Sequence, residues 1–419
     1  MHVPAKVTLA MPLEGHVAPA AVASFAELVF SSIDNDLLDR VFFGHHWLYD
    51  AVRNSIVESV LSQGSSTHIM WIDPDVVIPP SALPTLLAHD RQVVGGLQPR
   101  RLERPSNGAY QLDPFRWLDR PVSELTRVDG FGLGCALVLS DVYRQLSEHY
   151  GDNVWHRRVY GRSEDVAFFE RCSESGVEAY LDPDIVCTSA AVSEATTTSV
   201  IAERREADAA VRVALAMPLF EAVSPLAITS LIGLIQKTVQ SGQVQGLFFS
   251  NGLYLDVARN TLVREVLDSP VGFTHILWVD SDMTVPPDAL DRLLSADRRI
   301  VGGLYHTKTS GAAPAVFTLD PVALMDEPFD GLTRVDGFGL GCALVQRSVF
   351  EDMAAAYGDE RWHEVRNPHG DDLFFFVRCK EMGIPAWLDG ALRCGHVADY
   401  AVTTSHWERG RAQAQSETR

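Results

Sequence analysis

Short apolar runs alternate along the chain with longer stretches of helical periodicity. The second half shows the pattern most clearly. Residues 211–219 form an apolar run of strand length, and residues 225–240 carry apolar side chains at helical spacing behind a leading proline. Residues 247–250 predict a short strand and 255–267 a helix. An apolar strand at 275–280 ends on carboxylates, and Pro286-Pro287 opens the next helix. Further strands are expected at 300–305 and 341–346, and a helix at 371–382 with an apolar Leu-Phe-Phe-Phe face. Strands alternating with helices predict an α/β protein with α/β/α layers around a mostly parallel sheet. Ligands of such sheets bind beyond the carboxyl ends of the strands.

The same pattern occurs twice. Cys135, Cys172 and Cys187 recur 207 residues later as Cys342, Cys379 and Cys394. The same offset carries Trp71-Ile72-Asp73-Pro74-Asp75 onto Trp278-Val279-Asp280-Ser281-Asp282. It carries Val128-Asp129-Gly130-Phe131-Gly132-Leu133-Gly134-Cys135 unchanged onto the string from Val335 to Cys342. Nearer the start the offset is 206, as Arg53-Asn54 and Arg259-Asn260 show. A period this long exceeds the ~20–50 residues of solenoid repeats and indicates a tandem duplication of a whole domain. The expected division is an N-terminal copy at 1–190, a linker at 191–210, a C-terminal copy at 211–405 and a polar tail at 406–419. One chain would thus form a pseudo-dimer and act as a monomer.

Composition narrows the class. The chain has 419 residues, 46% of them hydrophobic, which suits two domains with real cores and excludes global disorder. No apolar run approaches the ~20 residues of a membrane span, and the first residues carry no signal-peptide core. A soluble, cytoplasmic protein without membrane partners is the expectation, in a bacterial or phage-infected cell. The six cysteines include no CxxC pair, so buried reduced thiols are expected. A net charge of −20 argues against a generic nucleic-acid coat.

Asp280-Ser281-Asp282 sits where an apolar strand ends. Two carboxylates one residue apart can both reach a divalent ion on a diphosphate, and their hard oxygens suit Mn²⁺ or Mg²⁺. Taken with Ala258-Arg259-Asn260, Val335-Asp336-Gly337-Phe338-Gly339, Gly370-Asp371-Asp372 and Gly395-His396-Val397, the order of motifs resembles GT-A-fold nucleotide-sugar glycosyltransferases. It is most similar to mannan-polymerase-type enzymes and to phage and bacterial relatives of that layout.

The resemblance implies roles. Asp280, Asp282 and His396 would hold the metal. Asp372, or its neighbour Asp371, would be the base that deprotonates the acceptor hydroxyl in an inverting enzyme. Arg259 would reach the donor diphosphate, with Asp280, Asp336 and Gly337 also on the donor side. Pro218 and Glu221 would lie near the nucleobase.

The copies differ at telling places. Ser189 stands where the offset predicts the histidine, and Pro74 replaces Ser281 between the aspartates. The C-terminal copy is therefore expected to be catalytic, and the N-terminal one degenerate or binding without turnover. Residues 91–162 hold 11 arginines and 8 acids, whereas 298–369 hold 7 basic residues and 10 acids. Arg100, Arg101, Arg104, Arg157 and Arg158 are thus candidates for an anionic acceptor surface. The acceptor is either a hydroxymethylated pyrimidine in phage DNA or a cell-surface or secreted glycan. A nucleotidyltransferase would show a glycine-rich loop after the first strand, which Met217-Pro218-Leu219-Phe220 lacks. A non-catalytic sugar- or nucleotide-binding protein is the remaining alternative.

Overall fold

A computed structural model describes residues 4–13, 15–45, 48–98, 108–118, 122–158, 162–190, 196–202, 211–220, 222–308, 312–358, 360–365, 370–398, 401–402 and 404. The chain divides into two units, Met1–Val192 and Ser193–Arg419.

In the first unit β1 (Val7–Leu13) is buried at every position, as a strand covered on both faces must be. It pairs in parallel with β2 (Leu38–His45) and β3 (His68–Ile72), across the crossover helices α1 (Pro19–Asp34) and α2 (Tyr49–Gln63). Then come β4 (Val76–Val77), α3 (Ala82–Ala88), β5 (Val93–Leu97), the hairpin β6 (Ala109–Leu112) and β7 (Phe115–Trp117), β8 (Thr126–Val128) and β9 (Gly130–Phe131). β10 (Cys135–Leu139), α4 (Ser140–Tyr150), α5 (Glu164–Glu174), β11 (Ala179–Val186) and β12 (Thr188–Ser189) complete the unit. The main sheet has the order β2-β1-β3-β10-β5-β11-β8, with β10 and β8 running against the rest. One face packs on α2, α4 and α5 around Trp71, Tyr143 and Phe168. Trp71 Nε1 donates to Tyr143 Oη at 2.7 Å, which satisfies both buried polar atoms.

The second unit repeats this order. β13 (Thr196–Ile201) precedes β14 (Val213–Leu219), α6 (Pro225–Gln240), β15 (Val244–Asn251), α7 (Leu255–Asp268), β16 (His275–Val279), β17 (Met283–Thr284), α8 (Ala289–Ser295) and β18 (Ile300–Leu304). The hairpin β19 (Val316–Leu319) and β20 (Val322–Leu324) leads to β21 (Leu332–Val335), β22 (Gly337–Phe338), β23 (Cys342–Gln346) and α9 (Arg347–Tyr357). Last come α10 (Asp371–Glu381), β24 (Ala386–Arg393), β25 (Gly395–Val397) and β26 (Ala401–Val402). Strand order is β13-β15-β14-β16-β23-β18-β24-β21, the order of the first unit with β13 added at one edge. Ser224 caps α6 by accepting from the Ala227 amide at 3.2 Å, and Pro225 fills the first helical position.

Three expectations are corrected here. Residues 196–201, expected as linker, form β13, whose threonine-rich sequence pairs antiparallel with β15. It lies mostly exposed on one sheet edge, so it lacks the apolar alternation that marks an inner strand. Pro286 and Pro287 precede α8 instead of opening it; the helix begins at Ala289. The 247–250 strand extends to Val244–Asn251. The tail at 406–419 lies outside the described residues. All six cysteines are buried thiols. Among the described residues, no helix is long and apolar enough to cross a membrane.

Candidate active site

The carboxyl end of β16 delivers Asp280, and a tight turn follows in which the Met283 amide donates to the Asp280 carbonyl at 3.1 Å. Beyond the turn β17 pairs antiparallel with β25, so that Met283 faces His396. This register joins residues 114 apart in sequence: His396 Nε2 lies 3.1 Å from Asp282 Oδ2. His396 Nδ1 lies 2.9 Å from the His306 carbonyl, which only accepts, so Nδ1 carries a proton. Nε2 therefore faces a carboxylate either as an imidazolium N–H or as a lone pair with a cation between. Lys308 Nζ reaches the same Asp282 oxygen at 2.5 Å. Burial works to raise Asp282, but the His396 hydrogen bond and charge and the Lys308 ammonium outweigh it and hold the carboxyl at about 2. Asp282 is thus an anion paired with the Lys308 ammonium, which a divalent ion at this place would have to displace or share. Among the described residues no group of three or more metal-ligand side chains converges. Asp282 and His396 are two side chains that could hold a metal, and their O and N atoms fit Mn²⁺ or Mg²⁺ if other ligands come from water or substrate.

Behind this pair lies a buried ion cluster. Arg259, on α7, is 1% exposed. Its Nη2 binds both oxygens of Asp280 at 2.8 and 3.0 Å, and its Nε binds Asp371 Oδ2 at 2.9 Å. Asp372 Oδ1 lies 4.0 Å away, and the guanidinium rests 5.1 Å from the Trp278 ring centroid. Burial opposes the charge on Arg259, but the three carboxylates overcome it and raise its pKa. Burial, together with Asp282 and Asp371, outweighs Arg259 and raises Asp280. The expected contact between Arg259 and a donor diphosphate is corrected: a guanidinium closed off from solvent is an internal counter-ion. Asp280 faces that guanidinium with both oxygens at the start of the loop that carries Asp282.

The two α10 aspartates separate. Asp371 is 3% exposed and locked on Arg259. Asp372 is 26% exposed and lines a cavity of about 360 Å³ with Phe317, Val322, Leu324 and Leu373. One of its oxygens accepts from the Leu340 amide at 3.3 Å; the other has no hydrogen-bond partner among the described residues. Burial and the neighbouring Asp371 and Asp280 push Asp372 well above the usual carboxylate range, against Arg259.

Other candidates fall elsewhere. Asp336 accepts from the Leu319 amide at 2.9 Å and from Lys380 Nζ at 3.0 Å, so it braces the β19 hairpin. A side chain at Gly337 would come within 2.3 Å of the Phe317 ring, which makes it a packing glycine. Neither presents itself to a donor. Pro218 is buried in β14. Arg157 and Arg158 are exposed, and Arg158 pairs with Glu164 at 3.2 Å. Glu221, Arg100, Arg101 and Arg104 lie outside the described residues.

Sequence reading missed Lys308, Asn260 and His363. Asn260 Oδ1 accepts the amides of Trp362 and His363, both at 3.0 Å, and its Nδ2 donates to the His363 carbonyl at 2.7 Å. His363 is fully buried, stacked on Phe375, with its ring held well below the ordinary histidine range by burial and by Arg259. The recurrence of Asn54 and His156 at the matching places was the available signal. The Asn54 carboxamide accepts the His156 amide at 2.9 Å.

The N-terminal unit keeps the ion cluster, with Arg53 bonded to Asp73 at 2.8 Å and 3.9 Å from Asp165. Burial, Asp73 and Glu164 outweigh Arg53 and raise Asp165 to about 7. β12 pairs with β4 so that Ser189 faces Val76, the register that His396 and Met283 share in the other unit. A hydroxyl therefore occupies the histidine's place.

No family model matches the chain, and no curated protein sequence does. Among solved structures the chain is similar to A197 from STIV, with 19% identity over 46% of this chain and 91% of that one, at a TM-score of 0.33. It is also similar to GalNAc-T7 with UDP, GalNAc and Mn²⁺, at 11% identity over 45% of this chain and 44% of that one, TM-score 0.31. A third is the catalytic domain of Drosophila beta1,4galactosyltransferase 7 in complex with xylobiose, at 14% identity over 42% and 65%, TM-score 0.28. The last two are matched over less than two thirds of their length.

Proposed function

We propose that the C-terminal unit is a glycosyltransferase that moves a sugar from a nucleotide-sugar donor to an acceptor hydroxyl with Mn²⁺ or Mg²⁺ bound. The observation that carries this reading is the Asp282–His396 pair at 3.1 Å, built at the carboxyl end of the central sheet by the β17–β25 register. A divalent ion held there would offset the charge that grows on the leaving diphosphate. Asp280, clamped by Arg259, fixes the loop that carries Asp282. Asp372 lines a cavity, and burial with the neighbouring Asp371 raises its carboxyl above the usual range; it takes the proton of the acceptor hydroxyl. Asp371 is the positioning residue, because Arg259 holds it away from solvent.

The acceptor we favour is a glycan. Among the described residues, those lining the cavity beside Asp372 are Phe317, Val322, Ala323, Leu324, Gly370, Asp372 and Leu373, one carboxylate and no cation. A DNA backbone would call for arginine or lysine there.

A thermal-shift panel of nucleotide sugars with Mn²⁺ tests the reading. One donor should raise the melting temperature only with the metal present, by an amount matching about 2.7 kcal/mol at 100 times its Kd. Asp282→Ala and His396→Ala should abolish the shift. A donor that stabilises equally in EDTA, or equally in Asp282→Ala, contradicts the metal-assisted reading.

A further inference from the structure

We infer that the N-terminal unit holds a metal-independent binding pocket for a neutral sugar residue. This goes beyond the transferase reading of the other unit and does not depend on it. The pocket is a cavity of about 610 Å³, within the ~300–1,000 Å³ usual for small-molecule sites. Its wall includes Tyr110, Phe115 and Trp117 from the β6–β7 hairpin, with Asp73, Asp75, Asp165 and Ser189 opposite the apolar surface in character.

Two of the three rings, Phe115 and Trp117, belong to this copy alone. Offset by 207, Tyr110, Phe115 and Trp117 become Phe317, Val322 and Leu324. The three rings form a cluster, with Tyr110 5.3 Å from Phe115 and 5.4 Å from Trp117 between centroids. Phe115 is 39% exposed beside the cavity, with the Arg162 guanidinium 5.6 Å from its ring centroid. The copy that has serine in the histidine's place therefore has an aromatic platform that the other lacks. A sugar ring presents C–H faces that pack on such rings and hydroxyls that donate to carboxylates.

Two buried polar atoms of the wall lack hydrogen-bond partners among the described residues, Tyr110 Oη and Asp165 Oδ1. The charge of the wall selects against anions. Among the described residues three carboxylates line it, one of them (Asp73) paired with Arg53 at 2.8 Å, against one lining arginine, Arg162, whose Nε lies 3.4 Å from Glu170. A nucleotide diphosphate without a metal, or a DNA strand, meets repulsion there; a neutral glycan does not.

Ligand-observed NMR on the full chain in EDTA tests the assignment, with methyl glycosides and neutral disaccharides of common hexoses as probes. At least one probe should show saturation transfer at millimolar concentration. Trp117→Ala and the exposed Phe115→Ala should each weaken it about tenfold or more, while Asp282→Ala leaves it unchanged. The second variant guards against a folding defect in the first, and the melting temperature of each is checked. Silence from every probe overturns the inference. So does binding that needs Mn²⁺, that is lost in Asp282→Ala but kept in Trp117→Ala, or that appears only with a single-stranded oligonucleotide.

Discussion

Arg259 is the residue on which the site turns. A buried guanidinium shared by Asp280, Asp371 and Asp372 is expensive to assemble and more expensive to break, since its loss leaves buried carboxylates without a cation. Arg259→Met should therefore destabilise the C-terminal unit by about 3–5 kcal/mol, read from urea unfolding. Arg259→Lys should not restore it, because one ammonium cannot reproduce the two-oxygen contact with Asp280. A small or absent loss would show that the cluster is not structural. Asp372 makes a separate prediction. Its carboxyl is raised by burial and by Asp371 and Asp280, so its base form is depleted at low pH and accumulates as pH rises. Transfer should accordingly increase with pH, and Asp372→Asn should lower it by about 10²–10⁴-fold and remove that limb of the profile. An unchanged profile in the variant would assign the limb to another group. The strand-end carboxylates were singled out from local sequence, and the histidine at the end of the domain from the family resemblance, since its contact with Asp282 joins residues 114 apart. The burial of Arg259 was not, because it depends on Trp278 and α10 closing over the side chain.

At the scale of elements, paired strands and one side-chain clamp do the positioning. β17 and β25 are only two and three residues long, yet their register sets the Asp282–His396 contact. Strands this short carry no periodicity, and a sequence pattern cannot announce them. The repeat offset nevertheless located Ser189, since equal spacing kept the β4–β12 register in step with β17–β25. Asn260 clamps the segment after α9 to α7 through three hydrogen bonds. Asn260→Ala leaves the Trp362 and His363 amides unpaired, for a cost of about 1–3 kcal/mol. Amide hydrogen exchange should quicken at Trp362 and His363 without quickening in β14. Uniform quickening through the sheet would instead mean that Asn260 stabilises the whole unit.

At the scale of the molecule, two units of one strand order diverge at their sites. The alternation of strands and helices was foreshadowed by periodicity, but β13 was not, because a threonine-rich edge strand resembles a linker. Both units bury an uncharged histidine, His156 and His363, each stacked on a phenylalanine and held well below the ordinary histidine range by burial and by the nearby arginine. An unfolded chain binds protons at these positions below about pH 6.5, while the folded one does not. Each histidine thus removes stability as pH falls through that range. Relative to the parent, His363→Phe should gain stability steadily from pH 7.5 to 5.5 in urea unfolding; a constant difference would show that the buried ring takes up its proton as readily as in the unfolded chain. Asp165, raised to about 7, acts in the opposite sense, losing stability as pH climbs from about 4 to 7. The comparison of variants isolates the histidine.

Division of labour between the units is the central claim, and it is tested by sugar transfer in matched variants. Single-turnover transfer, with the donor that the thermal-shift panel identifies and an oligosaccharide acceptor, is compared for Asp282→Ala and its counterpart Asp75→Ala. The account predicts that Asp282→Ala abolishes transfer while Asp75→Ala leaves the rate within a few-fold of the parent. Loss of transfer in Asp75→Ala with activity retained in Asp282→Ala would place the chemistry in the N-terminal unit and contradict the account.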